Sequence, residues 1–203
     1  RTSFPKPFSD SIAPYEEQIV NRKLNELLLK YVAKTDFVVN VKFSLIENSE
    51  NKNAAPTSSN IKMAINILLD DTVLPTVDTF LKEAVPLAIN FDAERGDSLK
   101  IIRKRFPERS VDSISPEQRT ALKDYRLKIL EAFQTGDYVS GLEWAEKGLK
   151  VAVKRADKIF ILKMKGSLHF LLEEKEEALE MWRHVQRLDP KDKEVSQMLN
   201  NLE

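Results

Sequence analysis

Apolar and polar residues recur with two different periods along this chain, and the change of period divides it into two halves. In the first half, apolar residues recur every three to five positions over 15–33 and 72–88, which predicts two amphipathic helices. Strict alternation over 37–46, 61–69 and 98–102 predicts three strands, each with one buried face. The order helix, strand, strand, helix, strand predicts a small α+β domain, with both helices on one face of a three-stranded sheet.

Residues between these elements predict where each element begins and ends. Residues 1–14 combine prolines and serines and predict an extended arm, with Pro14 in the first turn of the first helix. Thr72 is expected to cap the second helix. Residues 47–60 lack apolar side chains larger than alanine and predict a long solvated loop, whereas the prolines and serines around 107–115 predict a linker. The α+β domain is therefore expected to span 15–106.

Strand patterns are absent after this linker, and every later segment has a helical period. Ser115, Pro116 and Glu117 supply a cap, a first-turn proline and an early acid, which together predict the start of a helix. Helices are predicted over five segments, 116–134, 138–155, 157–172, 175–188 and 192–202. Because the joints are short, successive helices must pack antiparallel. Residues 116–203 are therefore expected to form an all-α domain of helical hairpins.

Two parts of this helical half repeat each other at a constant offset of 37 residues, so that Gly136 and Asp137 align with Glu173 and Glu174. In the second copy, small and large residues alternate at spacings that allow two helices to approach closely. These positions are Leu162, Gly166, Ala178, Trp182 and Pro190. This pattern resembles a tetratricopeptide repeat, followed here by a capping helix. The resemblance implies first that these residues form a core, and second that a shallow concave face binds a peptide.

A run of basic residues lies on the fourth and fifth predicted helices, next to an acidic run over 173–180. Its candidate partner-binding members are Lys154, Arg155, Lys158 and Lys163. Charge runs on helices are most often solvated faces, so a solvated face and a recognition face both remain as interpretations.

The α+β half contains a more specific set of residues. A strand that ends in Asp70 and Asp71 leads into a helix of the form Thr-Val-x-x-Phe-Leu-Lys-Glu-Ala-Val, and a Glu-Arg-Gly-Asp turn over 94–97 leads into the last strand. This arrangement resembles the third ring-building motif of the flagellar MS-ring protein FliF and of type III secretion inner-ring proteins. The resemblance covers 15–106, and the Glu-Arg-Gly-Asp turn is its most specific part.

The resemblance implies a wedge-shaped domain that packs against copies of itself in a ring, as a structural part of a bacterial envelope machine such as the flagellar basal body. Gly96 is expected to take positive φ, Asp97 to cap the turn, and Arg95 to pair with Asp70 or Asp71. These charges either stabilise the turn within one chain or contact a neighbouring subunit. In the flagellar family a transmembrane helix follows this motif, whereas here helical repeats follow, which argues against rotor binding.

The implied partners are copies of the chain itself and other proteins of the envelope machine. The implied location is periplasmic or otherwise extracytoplasmic and membrane-associated. Any membrane attachment is expected to come from an anchor upstream of Arg1. The alternative is a monomeric adaptor that forms no ring and binds a peptide or protein through the tetratricopeptide-like repeats.

Composition narrows the chemistry further. The 203 residues include no cysteine, two histidines, and 32 basic against 32 acidic side chains, a balance that does not favour nucleic-acid binding. Asp70 and Asp71 are adjacent at a strand end and point to different faces, so they are not expected to bind a metal. No glycine-rich phosphate loop or nucleophile motif occurs. We therefore expect no catalytic residues, no metal and no cofactor.

Overall fold

The computed structural model describes residues 9–45, 61–108 and 114–202, which fall into two compact units. The first unit comprises Arg1–Val32, Phe37–Asp70 and Pro75–Lys104. The second comprises Ala33–Asp36, Asp71–Leu74 and Arg105–Glu203. An α+β start is therefore followed by helices, as the periodicity predicts. The predicted loop at 47–60 and most of the predicted linker lie outside the described residues.

The first helix, α1, spans Ser9–Leu28, so it begins earlier than the sequence indicates. The prediction of an extended arm over 1–14 is wrong from Ser9 onward, and residues 1–8 lie outside the described part. Pro14 lies in the second turn, where its missing N–H removes the backbone hydrogen bond to the carbonyl of Asp10. The helix also ends earlier, at Leu28, and turns carry the chain to the first strand.

The sheet has three strands in the order β1, β2, β3, which span Phe37–Leu45, Ile61–Leu69 and Ser98–Arg103. β1 pairs antiparallel with β2, and β2 pairs parallel with β3. The alternating residues of one face are buried, and they form the core with apolar residues of the two helices. Its buried members include Leu24, Leu28, Phe37, Val41, Met63, Ile65, Ile67, Leu69, Leu81 and Val85. Glu17 ties α1 to β1 by accepting a hydrogen bond from the Phe43 N–H at 2.9 Å.

The second helix, α2, spans Thr76–Ala88 and crosses from β2 to β3. Its predicted cap, Thr72, is wrong, because the helix begins four residues later. Pro75 explains the difference: a proline disfavours helical geometry at the residue before it, here Leu74, and Pro75 takes the N-cap position. α2 contacts α1, and both helices bury apolar side chains, so they share the apolar face of the sheet.

The second unit contains five helices among its described residues. They are α3 (Pro116–Thr135), α4 (Tyr138–Val151), α5 (Arg155–Leu171), α6 (Lys175–Leu188) and α7 (Lys193–Asn200). Each helix contacts the next one along the chain, as expected for antiparallel hairpins. Ser115 and Gln118 form a capping box at the start of α3, with Pro116 in the first turn. α4 ends at Val151 and not at residue 155, because Ala152 adopts an extended conformation and is fully buried in the core between α3, α4 and α5.

The repeat is visible in the backbone at two corners of the second unit. Gly136 ends α3 with φ +79°, and Glu173, 37 residues later, joins α5 to α6 with φ 65°. Among the described residues, Glu173 is the only one other than glycine with positive φ. The second copy therefore keeps the left-handed corner of the first copy while placing a charged side chain at a position that favours glycine.

We expect Glu173→Gly to stabilise the second unit by about 0.5 to 1 kcal/mol, because glycine adopts positive φ without a clash of Cβ against the backbone. Thermal unfolding followed by tryptophan fluorescence measures the change, since both tryptophans lie in this unit. Glu180→Gly, in the middle of α6, is the matched control and should cost about 1 kcal/mol. Equal destabilisation by both changes would contradict a strained corner.

Candidate protein-docking site

A groove of about 410 Å³ lies between α3 and the start of α5 in the second unit. We call it the docking groove. Its apolar lining residues are Ile114, Leu122, Leu127, Leu130, Val151 and Val153, and its polar lining residues are Arg119, Lys123, Arg126, Lys154 and Asp157. Four basic side chains therefore face one acidic side chain, so the groove joins an apolar floor to a positive rim.

The apolar part of the groove is exposed to a degree that is uncommon for leucine. Leu127 is 59% exposed and Leu130 is 43% exposed, although each lies on the side of α3 that faces the groove. The opposite side of the same helix is packed, since Ile129 and Ala132 are buried. α3 thus has a second apolar stripe that the described residues leave partly exposed, and contiguous exposed apolar surface typically marks a site of protein interaction.

Two arginines of the rim are held in place by neighbouring groups. The Nη1 of Arg126 donates to the Oδ1 of Asp157 at 2.9 Å, and its guanidinium lies 4.3 Å from the ring centre of Phe160. Arg119 donates to the carbonyl of Ile114. Lys123 and Lys154 are exposed and have no ion pair with any described residue. The groove therefore has two fixed guanidinium groups and two ammonium groups that pair with no carboxylate in the described part of the chain.

The predicted basic face is largely wrong as a solvent-exposed surface. Lys158 is only 5% exposed and its Nζ donates to Asp36 Oδ1 at 2.5 Å. Arg155 pairs with Asp71 and also donates to the carbonyl of Leu188 at 3.3 Å. Lys163 pairs with two carboxylates that begin α7. Of the four predicted residues, Lys154 is exposed and lines the docking groove.

The ion pairs Lys158–Asp36 and Arg155–Asp71 stabilise the second unit, because they hold two short segments of the chain against its helices. These segments, Ala33–Asp36 and Asp71–Leu74, come from far earlier in the chain than the helices that they contact. Leu74 also packs against the α5–α6 core. A buried, hydrogen-bonded ion pair of this kind is costly to break from one side.

The ion pair between α5 and α7 shifts the protonation of its members. Lys163 donates from Nζ to Asp192 Oδ2 at 3.1 Å and to Glu194 Oε2 at 2.6 Å. Burial lowers the pKa of Lys163, but its hydrogen bonds to the two carboxylates outweigh burial and raise that pKa above its ordinary value. Burial raises the pKa of Asp192, but hydrogen bonds from the Val195 N–H and Lys163 lower that pKa overall. Both groups therefore remain charged at neutral pH, and the pair holds α7 in place.

In the first unit, the predicted turn is closed by its own residues. Gly96 has φ +90°, as expected, and Asp97 accepts hydrogen bonds from the backbone N–H groups of Met63 at 2.7 Å and Asp92 at 2.9 Å. Arg95 pairs with Asp97, so the prediction that it pairs with Asp70 or Asp71 is wrong. The interpretation of these charges as a turn-stabilising pair within one chain is the one that the geometry supports.

Further predicted turn residues lie apart from this pair. Asp70 is buried at the end of β2, and Asp71 pairs with Arg155 in the second unit. Arg95 lies beside an apolar pocket of about 320 Å³ whose lining includes Ile19, Phe43 and Met63. Asp70 and Arg95 therefore belong to the first unit and Asp71 to the second, and these predicted residues form no single site.

Four of the five predicted packing positions of the helical repeat pack as expected for a core, whereas Pro190 is exposed and lies outside it. Leu162 and Ala178 are fully or almost fully buried, and a Cβ at Gly166 would lie 2.6 Å from the Trp182 Nε1. Gly166 is therefore required for the close approach of Trp182, whose Nε1 donates to the carbonyl of Lys163 at 3.3 Å. Pro190 follows the end of α6.

Both histidines lie in structural positions. His184 is buried and its Nε2 contacts the carbonyl oxygen of Thr72 at 3.1 Å. His169 Nδ1 lies 2.6 Å from Glu174 Oε2, which supplies the acidic partner that the sequence did not reveal. Within the described ranges, no group of three or more His, Asp or Glu side chains could hold a metal ion. No described helix is both long enough and apolar enough to cross a membrane.

The docking groove itself was not predicted. Its floor residues Leu122, Leu127 and Leu130 look like ordinary members of an amphipathic helix. One feature of the sequence indicates such a groove: the apolar residues of α3 lie on more than one side of the helix, since Ile129 and Leu130 are adjacent. A second apolar stripe on one helix requires a second covering surface, and the sequence alone does not say whether that surface belongs to the same chain.

Comparisons with protein-family models, with curated proteins and with solved structures found no match to this chain.

Proposed function

We propose that this chain is a non-catalytic scaffold protein that docks another protein in its helical unit and assembles with copies of itself. The observation that carries the proposal is the docking groove, where exposed Leu127 and Leu130 lie beside a rim of four basic side chains and one acidic side chain. An open apolar surface bordered by mainly positive charge fits a protein partner of negative charge.

The helical unit is proposed to be a tetratricopeptide-like array. Support comes from the 37-residue offset between its two left-handed corners and from the close packing of Gly166 against Trp182. Arrays of this kind bury a continuous core between neighbouring hairpins and present an extended face to partners. α3 is the first helix of the described array, so its outer stripe lacks the neighbour that an inner helix would have.

The α+β unit is proposed to be a ring-building domain. Support comes from its element order, from the resemblance of the Glu-Arg-Gly-Asp turn, and from the internal closure of that turn by Arg95 and Asp97. In this proposal the chain is a structural part of a bacterial envelope machine, such as a flagellar basal body or secretion apparatus. It acts outside the cytoplasm at a membrane, and its partners are copies of itself and other proteins of that machine.

Electron microscopy of the full chain tests this proposal. The protein is tethered through an N-terminal histidine tag to vesicles that contain a nickel-chelating lipid, which raises its local concentration as a membrane anchor would. We expect closed rings or regular arcs with a constant spacing between copies. Dispersed single particles at full surface coverage would contradict the self-assembling scaffold.

A monomeric adaptor is the second candidate, and the exposed ammonium groups of Lys123 and Lys154 favour it because they suit an acidic peptide. The adaptor predicts saturable binding of a fluorescent peptide of alternating Glu and Leu to a chain that stays monomeric. Leu127→Glu should abolish that binding. Absence of binding by the wild-type chain would contradict the adaptor.

A further inference from the structure

Building on the proposed scaffold function, we propose that the docking groove receives the α5–α6 corner of a second copy of this chain. The α5–α6 corner is defined as residues 170–177, the last residues of α5, the connecting turn and the first residues of α6. Each copy would then offer a groove to one neighbour and a corner to another.

The α5–α6 corner has an exposed apolar pair next to a group of acids. Phe170 is 45% exposed and Leu171 is 42% exposed. The acidic residues that follow them, Glu173, Glu176 and Glu177, are also exposed. The corner therefore projects two large apolar side chains with negative charge beside them.

The corner and the docking groove are complementary in both chemical character and charge. The groove has an apolar floor that includes Leu127 and Leu130, and its exposed ammonium groups belong to Lys123 and Lys154. Its volume of about 410 Å³ lies in the range that accommodates a drug-sized molecule, which is larger than two apolar side chains. Apolar contact would supply affinity, and the Lys–Glu pairs at the rim would set orientation.

The position of the two surfaces excludes a contact between them within one chain. Asp157, at the groove, lies in the first turn of α5, whereas Phe170 lies in its last turn. At 1.5 Å per residue the two are about 20 Å apart along one rigid helix, so a chain cannot fill its own groove. The resulting contact joins different surfaces of two copies head to tail, and such contacts produce either closed rings or filaments.

Charge reversal of the full chain tests this contact. One variant reverses the groove (Lys123→Glu with Lys154→Glu), a second reverses the corner (Glu173→Lys with Glu177→Lys), and a third combines all four changes. Lys191→Glu with Lys193→Glu, which reverses two exposed lysines elsewhere, is the matched control. Sedimentation velocity over a concentration series measures self-association, and circular dichroism checks that each variant is folded.

We expect the groove variant and the corner variant each to self-associate about tenfold more weakly than the wild type. The combined variant, and an equimolar mixture of the two single-surface variants, should recover association because opposite charges face each other again. The control should match the wild type. Rescue of this kind cannot arise from loss of folding, so it identifies the two surfaces as partners.

Two results would overturn the inference, and they differ in what else they affect. In the first, the wild type associates and the groove and corner variants associate equally well. This result would place the contact elsewhere on the chain, and the proposed scaffold function would still stand. A wild type that stays monomeric at every concentration would overturn both the contact and the self-assembling scaffold.

Discussion

Lys158→Met is expected to destabilise the second unit by about 3 kcal/mol or more. The ammonium group of Lys158 is buried against the carboxylate of Asp36, whose side chain is only 9% exposed. Methionine would fill the space but leave that carboxylate in a buried setting without its cation, and breaking a buried pair from one side costs about 3 to 5 kcal/mol. Urea unfolding followed by tryptophan fluorescence measures the loss, since both tryptophans report on this unit.

Two further variants separate the ion pair from general effects of removing a lysine. Lys165→Met lies on the same helix, and its partner Glu146 is 64% exposed, so the change should cost less than about 1 kcal/mol. Lys158→Met combined with Asp36→Leu should recover much of the loss, because neither charge of this pair then stays buried. Equal losses for Lys158→Met and Lys165→Met would show that the buried pair does not hold the second unit together.

Asp97→Asn is expected to destabilise the first unit by about 3 kcal/mol, since the side chain of Asp97 is fully buried and anchors the turn before β3. It accepts from two backbone N–H groups and from Arg95, and an asparagine cannot accept all of these bonds through one oxygen. Hydrogen exchange of the β2 amides measures the loss. Asp92→Asn, an exposed change in the same turn, should have little effect.

The same carboxylate gives the first unit a dependence on pH. Burial raises the pKa of Asp97, but its hydrogen bonds from Arg95 and from the Asp92 and Met63 N–H groups outweigh burial, so that pKa lies below its ordinary value. Its contribution to stability is complete above the unfolded pKa of about 3.9 and is lost as pH falls through the lower folded pKa. The gap in stability between wild type and Asp97→Asn should therefore shrink below about pH 4. A gap that stays constant down to pH 2 would contradict this role.

The sequence predicted those parts of the fold that depend on local periodicity. The bounds of α6, Lys175–Leu188, agree with the prediction because its apolar stripe is regular and turn residues flank it. The bounds of β2, Ile61–Leu69, agree because alternation is strict and one face is buried. Errors at α2 and α4 arose where a pre-proline residue or a buried alanine overrode the helical period.

The candidate site was less predictable because it depends on contacts between distant residues. The sequence places Lys158 in a run of basic residues, and its partner Asp36 is 122 residues away. The sequence predicts a pair between Arg95 and a distant aspartate, whereas its partner Asp97 lies two residues further along the turn. The docking groove arises from the spacing of α3 and α5, and a single helical pattern does not contain that spacing.

The mass of the full chain in solution tests the central claim, self-assembly, most directly. Light scattering coupled to size-exclusion chromatography gives this mass over a range of loading concentrations. The scaffold predicts a mass above the monomer value of 23.3 kDa that rises with concentration. A mass that stays at 23.3 kDa at the highest attainable concentration would contradict it.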